Sequence, residues 1–293
     1  MPLIKDLPIG AKIKFGTYQV KKEEPHKICW LKAHHDNTFI TEFIEDQLHF
    51  DVKEPDNPDE LRKTGGSNRY STSNIDQFLN SYGEHWYKPK TEYDVPPIEG
   101  HGDDGVGYVD KPGFLSLFEL WEIESIIPAE IRTLLYKDDK YVSEEDGKEV
   151  TTETIIRNVF LPSRSNFFPD RDTEEDEFWD IFRDGNSRGA RATKECCENS
   201  ISKSKPSRKE FWYFLLRTPS LQYGNYVGYM SSNGSTGNHY ADATIVGCRP
   251  CLKLNGDTAV SESCDHDGYY EVLEPLSDRV EITEEEFLSL FKM

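Results

Sequence analysis

Two segments decide the fold: Phe214-Leu215-Leu216-Arg217-Thr218-Pro219 and Val246-Gly247-Cys248-Arg249-Pro250-Cys251-Leu252. Both are short apolar runs, which are typical of buried strands, and each contains one arginine. We predict that they form neighbouring central strands of one compact domain. Because a buried charge without a partner is costly, we expect Arg217 and Arg249 to bond backbone carbonyls or a carboxylate.

The chain between these segments, from residue 223 to residue 242, is rich in Tyr, Asn, Ser and Gly. Tyrosine offers rigid amphipathic contact area, and Asn, Ser and His offer adaptable hydrogen bonds, a composition typical of binding surfaces. We therefore predict a loop-rich binding face here. Its candidate ligand-binding residues are Tyr223, Asn225, Tyr226, Tyr229, Ser231, Asn233, Asn238, His239 and Tyr240.

The composition indicates a folded, acidic protein. Aromatic residues make up 12% of the chain, which argues against disorder although only 36% of the residues are hydrophobic. A formal net charge of -20 disfavours nucleic acid as a partner, because phosphate binding needs a Lys/Arg footprint. No stretch approaches the roughly 18 apolar residues of a membrane span. The segment Met1-Pro2-Leu3-Ile4-Lys5-Asp6 lacks the charged region and the apolar region of a secretory signal, so we expect no export. We expect a soluble protein without membrane insertion.

The six cysteines do not form a disulfide framework. Cys248 and Cys251 have the spacing of a zinc pair, but in a strand residues an odd number apart point to opposite faces. We predict small apolar residues in a reduced protein, and no metal.

The sequence contains none of the common motifs of catalysis. The chain has no nucleophile elbow, P-loop or metalloprotease spacing, and its histidines are scattered. We expect no catalytic residue and no cofactor. The acidic turns at 101–105 and 265–268 leave a calcium site assembled from both as an alternative.

Periodicity predicts an α+β chain. Strands are expected at 13–18, 27–31, 37–44, 154–161 and near 269–273. Helices are expected from Ser73 or Asn74, over 114–124, over 129–136, over 172–182 and over 281–293, where Thr283 and Glu286 form a capping box. The segments 88–113 and 183–208 are expected to be irregular, the former as a surface insertion. The terminal helix packs on its own domain or on a partner, so an oligomer is an open alternative.

Six motifs in order resemble a known family of domains of unknown function from Gram-positive gut bacteria and their phages. The motifs are Phe15-Gly16-Thr17-Tyr18, Ile28-Cys29-Trp30-Leu31, the segment 68–80, Val159-Phe160-Leu161, and the two segments quoted first. The resemblance covers about residues 10–254. It departs from the family at Phe214 and Leu215, where a tandem Trp is usual, at Asp76, where Arg is usual, and at Cys248 and Cys251.

The resemblance implies a C-type-lectin-like fold, with short antiparallel sheets and two flanking helices over 1–254, and a strand-and-helix extension over 255–293. It is also similar to the variable proteins of diversity-generating retroelements. It implies a non-enzymatic recognition module, a phage virion or surface protein that binds a protein or glycan receptor through the 223–242 face. The alternatives are a bacterial cytoplasmic location, an enzyme related to formylglycine-generating oxidases, and a structural or decoration protein that contacts other virion proteins.

Overall fold

The computed structural model describes residues 1–18, 25–100, 107–169, 175–183, 188–200 and 205–275. These ranges form a mixed α/β structure that consists mostly of strands. The strands are β1 Lys12–Tyr18, β2 His26–Lys32, β3 Thr38–Thr41, β4 Asp46–Gln47, β5 Ala129–Leu134, β6 Tyr141–Val142, β7 Glu149–Val150, β8 Thr152–Arg157, β9 Val159–Phe160, β10 Phe214–Pro219, β11 Tyr226–Met230, β12 Thr236–Tyr240, β13 Gly247–Cys248, β14 Cys251–Lys253 and β15 Tyr269–Glu271. The α-helices are α1 Glu60–Gly65, α2 Asn74–Leu79, α3 Leu120–Glu124 and α4 Lys194–Asn199, and 3-10 turns lie at Ile4–Asp6, Tyr70–Thr72, Phe114–Leu117 and Asp180–Phe182.

The strands form two larger sheets and two hairpins. The six-stranded sheet has the order β15-β1-β2-β3-β14-β9, and the five-stranded sheet has the order β12-β11-β10-β13-β4. β5 pairs with β8, and β6 pairs with β7. Most pairings are antiparallel, as expected, but β1 pairs with β15 and β10 pairs with β13 in parallel.

The hydrophobic pattern accounts for the first sheet. In β1, Ile13 and Phe15 are buried, whereas Lys12 and Lys14 on the other face are partly exposed. In β2, the buried Trp30 donates its indole N–H to the Phe15 carbonyl at 2.8 Å. One hydrophobic core joins residues of both larger sheets. The predicted strands at 13–18 and 27–31 are confirmed.

Helix α2 forms where the sequence predicts it. The Ser73 side chain caps the helix by accepting the Asp76 backbone N–H. Every residue of α2 is buried, although the helix has only one and a half turns. Asp76 inside it forms an ion pair with Arg157 of β8 at 2.7 Å, so the charge at this departure from the family pattern is neutralised.

The second of the two segments that decide the fold is divided between the two larger sheets, so the prediction of two neighbouring strands holds for its first part and is wrong for its second part, around Leu252. β10 is the central strand of the five-stranded sheet, and its neighbour β13 is the first part of the second segment. The chain then passes through Arg249 and Pro250 into β14, which pairs with β3 and β9. Proline interrupts the second segment, because it has no N–H to continue the first ladder.

The helix predicted at 129–136 is wrong, because Ala129–Leu134 is strand β5. Ala129, Ile131 and Thr133 are buried while the residues between them are exposed, a period of two that outweighs the helix-start signal of Pro128.

The two segments predicted as irregular differ in outcome. The described residues of 88–113 contain no helix or strand, as predicted, whereas 183–208 contains helix α4. Within 88–113, Tyr108 is buried and stacks on Trp86 with ring centroids 5.5 Å apart, so the insertion adds to the core. Within 183–208, Thr193 caps helix α4. The predicted helix at 172–182 is only a 3-10 turn within its described part.

Residues 255–275 return to the six-stranded sheet. β15 pairs with β1. An isolated antiparallel bridge also joins Val260 to Val272. The predicted helix over 281–293 and its capping box lie outside the described residues. None of the helices in the described ranges is long and apolar enough to span a membrane.

Candidate functional site

The predicted loop-rich face is a β-hairpin. β11 and β12 pair in antiparallel register, with Tyr226 opposite Tyr240 and Tyr229 opposite Gly237. β12 is an edge strand of the five-stranded sheet. All five of its residues are partly or fully exposed, and this lack of a buried face explains why the polar sequence concealed a strand.

Strand alternation divides five of the nine predicted residues between two faces. Tyr226, Asn238 and Tyr240 lie on one face of the hairpin, and Tyr229 and His239 lie on the other. The structure therefore does not bring all nine residues together on one face, and their role in binding stays a prediction. On the second face, the Tyr229 ring packs over Gly237, where a Cβ atom would lie 2.6 Å from the Tyr229 hydroxyl.

Three tyrosines form a compact cluster, named here the tyrosine surface: Tyr223, Tyr226 and Tyr240. The Tyr226 ring centroid lies 5.6 Å from that of Tyr223 and 4.5 Å from that of Tyr240. Tyr223 is 51% exposed and Tyr240 is 45% exposed. The interaction of its hydroxyl with that of Tyr240 raises the pKa of Tyr226.

The other predicted residues differ in exposure and in their place on the hairpin. Ser231 and Asn233 lie in the hairpin turn, where their side chains bond each other at 3.0 Å. Asn238 is exposed and accepts a hydrogen bond from Arg164 at 3.0 Å. Asn225 is only 2% exposed, so it is a packing residue and its prediction as a contact residue is wrong.

The side chain of Asn68 holds the loop that carries the tyrosine surface. No local sequence pattern indicates this role. Its side-chain N–H groups face the backbone carbonyls of Ser220, Tyr223 and Tyr226 at 2.9–3.1 Å. Its backbone N–H donates to the Gly224 carbonyl at 2.9 Å. The only sequence signal was its position at the start of the motif that leads into α2.

Buried Asp51 positions the segment that contains Asn68. Its carboxylate accepts the backbone N–H of Ser67 at 2.9 Å and of Asn74 at 3.1 Å. Burial, and then the nearby charges of Glu54 and Asp94, raise the pKa of Asp51. A buried carboxylate therefore holds both ends of the segment 67–74, which contains Asn68.

An acidic cavity adjoins this support. It has a volume of about 570 Å³. Its charged lining residues are Glu54, Asp59, Arg62, Arg69, Glu92, Asp138 and Asp139. Gly224, next to Tyr223, approaches this wall so closely that a Cβ atom would lie 2.9 Å from the Tyr136 ring and 3.2 Å from Asp59.

The two arginines of the fold-deciding segments are buried, as predicted. Arg217 donates to the Leu161 carbonyl at 2.6 Å, to the Arg132 carbonyl at 3.3 Å, and to the carboxylate of Asp176. Arg249 donates to the Thr41 carbonyl at 2.8 Å, and its guanidinium lies 5.1 Å from the Phe214 ring centroid. Burial lowers the pKa of Arg249 to about 10. Both side chains are scaffold, because neither reaches the surface.

The buried thiols are poorly suited to nucleophilic chemistry or metal binding. Burial raises the pKa of Cys196, Cys248 and Cys251, which disfavours the thiolate form required by both. Cys248 lies in β13 and Cys251 in β14, so the two belong to different sheets.

One group of possible metal ligands occurs within the described ranges: Asp265, His266 and Asp267. Asp265 already accepts hydrogen bonds from Lys14 and from two backbone N–H groups, which lower its pKa to about 2. The other acidic turn, 101–105, lies outside the described residues, so the two-turn calcium site stays a prediction.

Comparison with known proteins gives one result. A family model described as a domain of unknown function, DUF6273, matches residues 36–256. No match was found among curated proteins or among solved structures.

Proposed function

The chain belongs to the family of domains of unknown function DUF6273, and within that family we propose that it is a non-enzymatic recognition module. Its contact surface is the tyrosine surface, and its ligand is a protein or glycan receptor. The observation that carries this proposal is the clustering of two half-exposed tyrosine rings on a firmly held hairpin.

The support beneath the rings favours binding. Asn68 fixes the loop, and Gly65 of α1 lies against Asn225 and Tyr240. The ring of Tyr240 in turn packs on that of Tyr226, with centroids 4.5 Å apart. Because the rings are already ordered, a ligand does not have to supply the free energy of ordering them. Exposed tyrosines held in this way are typical of binding hot spots.

The main enzymatic alternative is an oxidase that uses a reactive cysteine. The pKa shifts of the thiols argue against it. An activated cysteine has a lowered pKa. Burial instead raises the pKa of Cys196 and of its neighbour Cys197. An adjacent pair shifted in this direction supports recognition over an oxidase-like activity.

The family resemblance supplies the finer part of the proposal. It implies a C-type-lectin-like arrangement of the sheets, a place in a phage virion, and a receptor on the host bacterium. A diversified hairpin of the retroelement type and a structural role beside other virion proteins belong to the same hypothesis. The expected biological context is therefore attachment to a cell surface.

The double variant Y223A/Y240A tests the proposed surface. Aromatic anchors at binding surfaces commonly contribute on the order of 2 kcal/mol each, so we expect at least a tenfold loss of affinity. Binding of the fluorescently labelled protein to intact Gram-positive gut bacteria and to a glycan array provides the measurement.

Tyr141 provides a matched control, because it is 56% exposed but lies on the separate β6–β7 hairpin. Y141A should bind as the original chain does. Unchanged binding by Y223A/Y240A, with an unchanged melting temperature, would refute the proposal. Binding that is lost equally in Y141A would show a non-specific effect of exposed rings.

A further inference from the structure

The turn of the β11–β12 hairpin contains an asparagine followed by a glycine, Asn233-Gly234. Asn233 is exposed to water. Gly234 has a φ of 80°, in the left-handed region that favours glycine, so the turn depends on this residue. Glycine also has no side chain to keep its backbone nitrogen away from the amide of the preceding side chain. The pair is therefore open to a reaction between these two groups.

Three hydrogen-bond donors converge on one atom of Asn233, its side-chain oxygen Oδ1. The hydroxyl of Ser231 donates to it at 3.0 Å. Ser235 donates its hydroxyl at 2.7 Å and its backbone N–H at 3.0 Å. An amide oxygen has two lone pairs, so three donors exceed what a resting amide accepts. Donors in this number suit an oxygen that acquires a negative charge.

We propose that Asn233 is a site of spontaneous deamidation, assisted by the two serines. The backbone nitrogen of Gly234 loses its proton to hydroxide and forms a bond to Cγ of Asn233, and the negative charge moves to Oδ1, where the three donors stabilise it. The bond from Cγ to Nδ2 then breaks. Nδ2 takes a proton from water and leaves as ammonia, which regenerates hydroxide and closes a succinimide ring. Water cleaves either C–N bond of the ring, so position 233 becomes aspartate or isoaspartate.

One hydrogen bond restrains the attacking nitrogen. The N–H of Gly234 donates to the carbonyl of Ser231 at 3.0 Å. Hydroxide can take this proton only while the bond is open, so the turn has to open locally before the ring closes. We therefore expect a reaction over days rather than minutes, with a rate that rises with pH.

The chain contains a second pair of the same sequence, Asn255-Gly256, which provides an internal control. Asn255 is also exposed. Within the described ranges, its Oδ1 accepts one hydrogen bond, from the backbone N–H of Asp257 at 3.0 Å. The carbonyl of Gly256 is held by the backbone N–H of Lys5 at 3.1 Å. A difference in rate between the two pairs in the folded chain therefore reflects their surroundings.

Deamidation changes the charge of the hairpin. Residues 218–241 contain no Asp, Glu, Lys or Arg, although these residues make up 30% of the chain. The reaction places one carboxylate in this neutral segment, and isoaspartate also adds an atom to the main chain between β11 and β12. Ageing of the protein therefore alters the hairpin that carries Tyr226 and Tyr240. An effect on receptor binding rests on the proposed function, whereas the reaction itself does not.

Incubation of the folded protein in mildly alkaline buffer tests this assignment. Peptide mass spectrometry with electron-transfer fragmentation separates aspartate from isoaspartate at each site. We expect Asn233 to react at least about tenfold faster than Asn255, and S231A/S235A to slow Asn233 by a similar factor, because each hydrogen bond to a charged oxygen contributes roughly that much. S232A is the matched control, since Ser232 lies in the same turn but its hydroxyl is not one of the three donors.

Two further measurements separate the effect of the fold from that of the sequence. In concentrated urea, the two pairs should react at similar rates. The melting temperature shows whether S231A/S235A is folded, and S235A alone replaces it if it is not. The proposal is overturned if Asn233 reacts no faster than Asn255, if the difference persists in urea, or if loss of the hydroxyls leaves the rate unchanged. No receptor is needed, so the outcome is independent of the binding experiment with Y223A/Y240A.

Discussion

Arg217 combines full burial with a complete set of partners, and its replacement should be costly. Arg217→Ala removes the guanidinium from the Leu161 and Arg132 carbonyls and leaves Asp176 without its cation. We expect the free energy of unfolding to fall by roughly 3–5 kcal/mol, as is usual when one partner of a buried ion pair is removed. Chemical denaturation measures this change.

Arg183→Ala is the control for this measurement, because Arg183 pairs with Asp180 on the exposed surface. Its loss should change the free energy of unfolding by less than about 1 kcal/mol. If Arg217→Ala unfolds at the same denaturant concentration as Arg183→Ala, Arg217 is not part of the scaffold. Loss of receptor binding by Arg217→Ala with unchanged stability would assign it to the binding site instead.

The buried guanidinium of Arg249 is stabilised by aromatic rings rather than by a carboxylate. One of its terminal nitrogens, Nη1, is buried and has no hydrogen-bond partner in the described part of the chain. The ring centroids of Phe214 and Phe182 lie 5.1 Å and 5.9 Å from the guanidinium, and the negative potential of the ring faces attracts its positive charge. The sequence predicts that both arginines are buried, but these different partners come from distant segments.

At the level of single elements, the hairpin depends on Asn68. Asn68→Ala leaves the carbonyls of Ser220, Tyr223 and Tyr226 without this donor. We expect the free energy of unfolding to fall by about 1–3 kcal/mol, together with faster amide exchange in β11 and β12. Hydrogen exchange followed by mass spectrometry gives both quantities.

Asn158→Ala serves as the comparison, since Asn158 is partly exposed at the junction of β8 and β9. Its exchange in β11 and β12 should match that of the original chain. Equal protection of the hairpin in both variants would contradict the role assigned to Asn68.

Local pattern predicts some elements well and others poorly. β1 and α2 were predicted because alternation and a serine cap act within a few residues of the element itself. β5 was predicted as a helix because its partner β8 is needed to stabilise the extended form. β12 was missed because an exposed edge strand has no apolar face to reveal it.

The candidate site was predicted in composition and only partly in geometry. Tyr223, Tyr226 and Tyr240 cluster, but alternation moves Tyr229 to the other face, and Asn225 is buried. The acidic cavity joins residues far apart in the chain, such as Glu54 and Asp139. Such pairs depend on sheet order, which no local pattern contains.

Across the whole molecule, buried carboxyl groups should make the protein more stable in mild acid. Burial raises the pKa of Glu175 from 4.5 to about 7, so over that interval the folded chain holds a proton that the unfolded chain has released. The free energy of unfolding therefore falls as the pH rises from 4.5 to 7, and this group contributes on the order of 3 kcal/mol. Burial also raises the pKa of Glu45 and Asp51, which act in the same direction.

The variant Glu175→Gln isolates the contribution of Glu175 to the pH dependence of the free energy of unfolding. Glutamine cannot titrate, but it can still accept the hydrogen bond that Thr218 donates to Glu175 at 2.7 Å. Melting temperatures measured from roughly pH 5 to pH 8 should decline less steeply for the variant than for the original chain. The variant should also be the more stable protein at the upper end of the range. Parallel curves would mean that Glu175 has the same proton affinity in both states.

The pairing of β15 with β1 has a consequence for synthesis on the ribosome. Residues 12–14 are translated well before their partners at 269–271, because the two strands are far apart in the sequence. At about 5–20 residues per second, this edge waits on the order of 10–50 seconds for its partner. Charged side chains on an open edge discourage pairing with other nascent chains. We therefore expect Lys12 and Lys14 in β1 to discourage aggregation of the chain during its synthesis.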